Sequence, residues 1–369
     1  MMKRKWLILF FLAVLSGPFL FSQTDPEPDS PWGLLKELLL IPGVSGYEGK
    51  VADFIQARLP REIEIQRDDM QNLWFTCGTG GKPHLVFVAH TDELGYIVED
   101  ITQDGLLKVS SRGGFLSSMY EGHAVVVHTR KGAVEGVVAP RTGYFQRDLK
   151  IAPFGIEDIT IYLGASSSGE AAALGVAKGD SITIKKKIVE FSPDLLASRA
   201  VDDRAGCAAL LAASYELDWT KIAGKTVTFA WDVQEETGLI GASELARKLD
   251  ADYVFPVDTF VSSAGPFDSR RFAHLPLGKG AVLRAIDSSN ITPNELLKRV
   301  IAIAEANKIP VQLGNTRGGN DGSVFVPYGA ADIPLSWPGT YSHSFIEKIH
   351  RADLDALTDL IAALVRDWK

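Results

Sequence analysis

The stretch KTVTFAWDVQEETGLIGASELARKLDADYVFPVD, residues 225–258, changes its pattern twice along its length. Its two ends, KTVTFAWDV (225–233) and DYVFPVD (252–258), are short apolar runs rich in β-branched and aromatic residues, which is typical of buried strands. Between them, GASELARKL (241–249) has the spacing of an amphipathic helix. A strand, a helix and a second strand in this order predict a sheet that is covered by helices.

The same alternation extends to both sides of this stretch. Before it, HLVFVAH (84–90) predicts a buried strand and residues 203–217 predict a helix. After it, the strand GAVLRAI (280–286) precedes the helix TPNELLKRVIAIAEANK (292–308), and ADLDALTDLIAALVRDW (352–368) predicts a strongly amphipathic helix at the end. We therefore expect an α/β fold, with a mixed sheet covered by helices.

Residues 95–195 have a different sequence pattern. Helical periodicity is weak there, and short β-like runs separated by glycine turns follow one another: GYIVEDI, LLKVS, HAVVVHT, AVEGVVA, ITIYLG and DSITIKKKIVEF. Such a series predicts a small β-barrel or sandwich. The simplest domain organisation is one α/β domain built from residues 32–94 and 196–369, with 95–195 as an inserted β domain.

The N-terminus predicts export. Lys3-Arg4-Lys5 precedes the apolar run WLILFFLAVL (6–15), which has the length of a signal-peptide core. We expect residues 1–22 to be a signal peptide, residues 23–31 a polar linker, and the mature protein to be periplasmic or secreted. An uncleaved anchor is the alternative, although the apolar run is short for a membrane span.

Charge and cysteine content limit the function classes. The formal net charge is −8 and no basic patch is visible, which argues against nucleic acid as a partner. The chain has two cysteines, Cys77 and Cys207, and their sequence positions do not show whether they are close enough to pair. H-E-x-x-H, G-x-S-x-G and P-loop motifs are absent, which argues against zincins, serine hydrolases and nucleotide-binding enzymes.

Acidic residues and histidines instead cluster at predicted element ends. Taken singly each has an ordinary explanation: a Glu-Glu pair is usually a solvated turn, and an aspartate that opens a helix is usually an N-cap. Functional residues of open α/β sheets, however, gather at the carboxyl ends of strands. Two histidines, two aspartates and a glutamate are the ligand types of a dinuclear zinc or cobalt site. The clustered residues supply this set and one further glutamate: His90, Asp202, Glu235, Glu236, Asp258 and His343.

Seven motifs in this order resemble the M42 family of metallo-aminopeptidases over nearly all of the chain that follows the signal segment. They are IPGVSGYEGKVADFI, AHTDELGYIV, VDDRAGC, QEETGLIGA, LGKG, GGNDGS and YSHSFIE. The resemblance implies two divalent metal ions, Zn²⁺ or Co²⁺. One would be held by His90 and Asp258, and the other by Glu236 and His343. Asp202 would bridge the two ions.

The resemblance also implies the remaining roles. Glu235 would be the general base that activates the water bridging the ions, and Asp92 would orient the imidazole of His90. The substrates would be peptides that lose their N-terminal residues. Residues 95–195 would be a dimerisation domain, and the protein would form homo-oligomers ranging from dimers to dodecamers.

Two alternatives remain open at the level of the sequence. A co-catalytic zinc carboxypeptidase or deacylase of the M20 or M28 type uses the same ligand logic. A non-catalytic exported protein that binds peptides or metal ions would need the ligands but not the general base, Glu235.

Overall fold

The computed structural model describes residues 27–140, 155–263 and 274–369. The predicted signal peptide, 1–22, and the first part of the predicted linker lie outside these residues. Within the described ranges no helix has both the length and the apolar character needed to cross a membrane.

Helices and strands alternate in the first and last thirds of the chain, and strands dominate between them. The helices are α1 (Pro31–Leu38), α2 (Gly49–Arg58), α3 (Ser168–Ala173), α4 (Val201–Tyr215), α5 (Ile240–Lys248), α6 (Asn294–Ala306) and α7 (Arg351–Asp367). The strands up to residue 140 are β1 (Ile65–Arg67), β2 (Leu73–Gly78), β3 (His84–His90), β4 (Gly95–Ile101), β5 (Leu107–Arg112), β6 (Ala124–Thr129) and β7 (Gly132–Val138). The later strands are β8 (Thr160–Tyr162), β9 (Ser181–Ile184), β10 (Val189–Ser192), β11 (Leu195–Ser198), β12 (Thr226–Asp232), β13 (Tyr253–Val261), β14 (Ala281–Ile286), β15 (Val311–Asn315), β16 (Ala331–Asp332), β17 (Leu335–Gly339) and β18 (Glu347–His350).

A mixed sheet forms the larger part of the molecule. Its strand order is β1-β2-β12-β3-β13-β17-β14-β15, and β16 pairs with β13. The central strands β12, β3, β13 and β17 are parallel, whereas β2 and β14 run antiparallel to their neighbours β12 and β17. Every residue of β3 is buried, as expected for a parallel strand that is covered on both faces. The predicted α/β fold with a mixed sheet is confirmed.

Helices cover both faces of this sheet. On one face α1, α4, α6 and α7 enclose the large core, in which the rings of Phe87 and Phe255 stack with centroids 4.7 Å apart. On the other face α5 contributes Ala242, Leu245 and Ala246 to a smaller core. Most of α4 is alanine, glycine and leucine and nearly all of it is buried, so it packs against the sheet and against α1 and α7 at once.

The inserted segment forms a closed barrel. Its strand order is β4-β5-β8-β7-β6-β9, and it has an apolar core of its own that includes Tyr96, Tyr120 and Ile182. The structure thus selects the barrel over the sandwich. The run 180–191, which is predicted as one β-like segment, divides into β9 of the barrel and β10. The latter pairs with β11, which in turn pairs with β18, in a separate three-stranded sheet.

Candidate active site

Adjacent parallel strands bring the predicted site residues to one edge of the sheet. Asp232 of β12 is opposite His90, and Val257 of β13 is opposite Ala89, so Asp258 is placed beside His90. The prediction that Asp258 ends its strand is wrong. β13 continues to Val261, because the residues beyond Asp258 pair with β17 rather than with β3.

One group of three possible ligands forms around His90. A ligand atom from each of His90, Asp202 and Asp258 lies within 4.8 Å of the other two. Nε2 of His90 is 3.4 Å from Oδ1 of Asp202, and these two side chains are only 2% and 5% exposed. A nitrogen and two carboxylates this close together have the donor types and spacing that suit a divalent metal ion.

A second group forms around His343. Its Nε2 lies 3.6 Å from Oε2 of Glu236 and 3.8 Å from Oδ2 of Asp202. Asp202 therefore directs one carboxylate oxygen to His90 and the other to His343. The two groups line a single cavity of about 110 Å³, to which Glu235 also contributes. All six residues predicted as ligands or general base are thus brought together.

The backbone at the start of α4 explains why the Asp202 carboxylate is free to line the cavity rather than cap the helix. Asp202 and Asp203 have non-helical backbone angles, and Oδ1 of Asp203 accepts a hydrogen bond from the N–H of Gly206 at 3.0 Å. The N-cap of the regular helix is therefore Asp203, and the interpretation of Asp202 as a simple N-cap is wrong. The Asp202 carboxylate accepts instead from the hydroxyl of Ser342 at 2.9 Å and lines the cavity.

The cavity has an excess of buried carboxylates. Burial raises the pKa of Glu235 and of Glu236, and neighbouring carboxylates raise both further. Burial also opposes ionisation of Asp202, but the imidazoles of His90 and His343 hold the pKa of that carboxyl well below its usual range. Packing several carboxylates into a small buried space is costly unless cations compensate them. The donor set and its charge both fit divalent metal ions.

A model of the M42 glutamyl aminopeptidase family matches residues 72–360, a range that contains the whole of this cavity. The chain belongs to this family. M42 peptidases depend on metal ions, and the group of His90, Asp202 and Asp258 is a candidate site for one.

Relatives and solved structures agree with this assignment. The lysyl aminopeptidase of Pyrococcus furiosus is 28% identical over 347 residues, 92% of this chain and 97% of the relative. The glutamyl aminopeptidase of Lactococcus lactis is 29% identical over 302 residues, 78% of this chain and 81% of the relative. The TET1 peptidase of Pyrococcus horikoshii, which can assemble into a tetrahedron or a large octahedral shell, has a TM-score of 0.84 at 34% identity, covering 91% of this chain and 99% of that one. The prediction that the chain is an aminopeptidase of the M42 family is confirmed.

In this M42 peptidase the two glutamates lie beyond the strand rather than on it. β12 ends at Asp232, and Glu235 and Glu236 belong to the turn that follows. Their backbone N–H groups donate to the two carboxylate oxygens of Asp92, at 3.0 and 3.1 Å, and Ser45 donates to Asp92 at 2.5 Å. Asp92 thus holds the turn in place, a role that the sequence alone does not indicate.

Each histidine is oriented through its second ring nitrogen. Nδ1 of His90 lies 3.3 Å from Oδ1 of Asp92, and Nδ1 of His343 donates to the carbonyl of Gly114 at 2.7 Å. Both interactions leave Nε2 facing the cavity, as metal-binding histidines require. Because Gly114 follows β5, the barrel segment directly positions a residue of the candidate site.

Glu347 supports two of the candidate ligands and was not predicted. Its carboxylate accepts from the backbone N–H of Asp202 at 3.0 Å and of His343 at 3.2 Å, and pairs with NH1 of Arg199 at 2.8 Å. His343 has a φ of 60°, a conformation that costs a non-glycine residue on the order of 1 kcal/mol and that this contact helps to hold. In the sequence, Glu347 could have been recognised as a site residue from its position inside YSHSFIE, four residues after His343.

Arg284 was also missed, and it supports Asp258. It is a single charged residue in the apolar strand β14, which is the pattern that could have revealed it. Its NH2 group lies 2.8 Å from Oδ2 of Asp258, and both Asp258 and Arg284 line the cavity. Burial raises the pKa of Asp258, and the guanidinium of Arg284 opposes that shift.

The question of the two cysteines is settled by their positions. Cys77 and Cys207 are both free thiols, and Cys207 is buried. The Cys207 thiol donates to the carbonyl of His90 at 3.1 Å, so it contributes to the packing behind the site.

Proposed function

We propose that this protein is a dinuclear-metal aminopeptidase in which Glu235 is the general base. The observation that carries the proposal is the placement of Asp202, whose two oxygens face His90 at 3.4 Å and His343 at 3.8 Å. A carboxylate shared in this way is suited to bridging two ions. His90 and Asp258 would hold one ion, and Glu236 and His343 would hold the other.

When bound, two divalent ions of the zinc or cobalt type polarise a peptide carbonyl and lower the pKa of water. The protein's own contribution is proton transfer by Glu235. Its backbone is held by Asp92, and among the described residues no side chain or backbone group donates a hydrogen bond to its carboxylate. Burial raises the pKa of Glu235 in the metal-free protein, as expected for a carboxylate enclosed in a small cavity. Glu235 would take a proton from the attacking water and pass it to the leaving amine.

The cavity favours the end of a peptide over its middle. Its volume is about 110 Å³, and it is lined by carboxylates that can bind a free amine. A substrate entering with its N-terminus would place its first peptide bond near Glu235. This geometry supports removal of single N-terminal residues, in agreement with the activities for which the Pyrococcus furiosus and Lactococcus lactis relatives are named.

The two adjacent glutamates provide matched variants for a test. Glu235→Gln should fold, keep two metal ions per chain and lose kcat by roughly 10²–10⁴, the usual contribution of general acid–base catalysis. Glu236→Gln should instead lose one ion, because it removes a charged ligand. Elemental analysis and kcat on aminoacyl anilides measure both effects. Metal loss in Glu235→Gln alone would reverse the roles, and two unaffected variants would contradict the whole assignment.

Blocked substrates separate the alternatives. An N-acetylated peptide should resist cleavage, while its unblocked counterpart loses one residue at a time. Trimming from the C-terminus or removal of the acetyl group would favour the carboxypeptidase or deacylase. Complete absence of turnover after addition of zinc or cobalt would favour the non-catalytic binding protein.

We also propose that the chain forms a homo-oligomer through its barrel. The support is the assembly of the Pyrococcus horikoshii relative, which shares the fold over 91% of this chain. Light scattering on the purified protein gives the subunit number, and a monomer at micromolar concentration would contradict the proposal.

A further inference from the structure

A second cavity, of about 510 Å³, lies between the barrel and the three-stranded sheet, and among the described residues it shares no lining residue with the candidate active site. Its walls come from the end of β9 and the segment after it, from the start of β6, from β11, and from the residues that follow His343. The volume is in the range of small-molecule sites in proteins.

Three residues that line this cavity carry buried hydrogen-bond donors. Within the described part of the chain, Oγ of Ser198 and Nε of Arg199 have no hydrogen-bond partner, although both residues are about 2% exposed or less. Lys186 is also buried, and its ammonium group contacts one carboxylate oxygen, that of Glu93, at 2.7 Å. Buried donors of this kind are costly unless an acceptor reaches them. All three residues line the cavity.

The lining of the cavity is positively charged. Lys186 and Arg199 lie at its floor, where Lys186 pairs with Glu93 and Arg199 with Glu347. Burial lowers the pKa of Lys186 to about 8, and the nearby arginines add to the effect of burial. None of the residues that line the cavity in the described structure is acidic, and Lys185 and Lys187 stand at its exposed rim. An anion would therefore be stabilised here.

The side walls are apolar. Ile184, Val189, Phe345 and Ile346 line the cavity, and the ring of Phe345 packs against His123 with centroids 4.2 Å apart. A ligand that satisfies both surfaces has an acidic head and an apolar body. A free amino acid fits less well, because its ammonium group would find no carboxylate on the lining.

We propose that this cavity is an effector site for a small carboxylic acid with an apolar body. Its carboxylate would accept from Ser198, Arg199 and Lys186, and its apolar part would lie against Phe345 and Val189. The site is separate from the one at which the peptide is cleaved.

The contacts of Arg199 connect this cavity to the candidate metal ligands. Arg199 donates to Glu347, which in turn accepts from the backbone N–H groups of Asp202 and His343. A carboxylate that draws Arg199 toward itself weakens its contact with Glu347 and changes the support of both ligands. The effector should therefore change kcat or metal affinity without competing with the peptide. This coupling rests on the proposed function, whereas binding does not.

Calorimetric titration with hexanoate tests the binding in the metal-loaded Glu235→Gln protein, in which turnover does not interfere. Hexanoate should bind at least tenfold more tightly than hexanamide, which has the same apolar body without the charge. Ala124→Trp, at an exposed position on the cavity wall, should abolish binding. Ala133→Trp, at an exposed position of the neighbouring strand outside the cavity, is the matched control and should leave binding intact. Ser198→Ala should weaken binding about tenfold, as expected for a hydrogen bond to a charged group.

Kinetics of the metal-loaded wild-type enzyme test the coupling. Saturating hexanoate should change kcat or the midpoint of metal titration with an unchanged KM, and Ala124→Trp should remove that effect. No hexanoate binding, equal binding of hexanamide, or equal binding by Ala124→Trp would overturn the site. Simple competition with peptide would also overturn it, because the acid would then occupy the active site. A change of subunit number in Ala124→Trp without hexanoate binding would assign the cavity to a second copy of the chain. If Glu235→Gln remains active, the proposed base fails, while the calorimetric result still decides the effector site.

Discussion

Replacing Asp92 by asparagine tests its two structural roles, which are to hold the Glu235-Glu236 turn and to orient the imidazole of His90. One carboxylate oxygen accepts from the N–H of Glu235 and the other from the N–H of Glu236, at 3.0 and 3.1 Å, and the side chain is fully buried. Burial alone would raise the pKa of Asp92, but His90, Ser45 and the backbone N–H groups together lower it, so the group is ionised in the folded protein. Asparagine keeps the shape but turns one of the two acceptors into a donor.

The size of the effect follows from these contacts. Whichever way the asparagine amide is turned, one buried backbone N–H of the Glu235-Glu236 turn faces another donor. A lost hydrogen bond to a charged group is worth about 1.5–3 kcal/mol. We therefore expect Asp92→Asn to lower the free energy of unfolding of the metal-free protein by about 2–3 kcal/mol. Because His90 loses its charged partner, metal affinity should also fall about 10–100-fold.

Asp353 provides the matched control. Its two oxygens accept from the backbone N–H groups of Gly278 and Gly280, each at 2.7 Å, and it is fully buried but does not line the cavity. Asp353→Asn makes the same chemical change in a similar setting. It should cost comparable stability and leave metal affinity unchanged.

Two assays give the answer. Urea unfolding of chelator-stripped protein measures stability, and competition with a chromophoric chelator measures metal affinity. Metal binding by Asp92→Asn within threefold of wild type would refute this role of Asp92, as would an equal loss of affinity in Asp353→Asn.

Three further outcomes are expected. Gly113→Ala should lower the free energy of unfolding by about 3 kcal/mol. Gly113 has a φ of 82°, and an added Cβ would overlap Leu94 and lie 3.2 Å from Cβ of Glu236. Wild-type stability of the variant in urea denaturation would show that the backbone at Gly113 has room for a side chain. Burial, and then the charge of Asp287, raises the pKa of Asp332 from 3.8 to about 8, so the folded state holds this proton more tightly than the unfolded state and stability should fall as pH rises from about 4 to 8. Asp332→Asn should remove that part of the decline, and parallel wild-type and variant pH profiles of unfolding would contradict the assignment. We propose export from the N-terminal pattern; fractionation of host cells should find a chain shortened at its N-terminus outside the cytoplasm, and full-length protein in the cytosol would speak against it.

The sequence by itself determined the main helices and strands and indicated most residues of the candidate site. The predicted strand 225–233 corresponds to β12 (Thr226–Asp232), and the predicted helix 292–308 to α6 (Asn294–Ala306). These features are readable because the period of apolar residues is a local property that distinguishes strand from helix. His90 was placed correctly at the end of β3 for the same reason, since a buried run that stops at a polar residue marks where a parallel strand reaches the sheet edge.

Tertiary structure alone decided the features that depend on contacts between distant segments. β13 runs past Asp258 because β17, about eighty residues later, offers it a partner. The two adjacent aspartates have different roles. Asp203 caps the helix because it accepts from the N–H of Gly206, whereas Asp202 faces His90 and His343. β10 leaves the barrel to join β11, which pairs with β18 at the far end of the sequence. The carbonyl that orients His343 belongs to Gly114, 229 residues away. A hydrogen bond of this kind depends on where two chain segments meet, which no local pattern of side chains records.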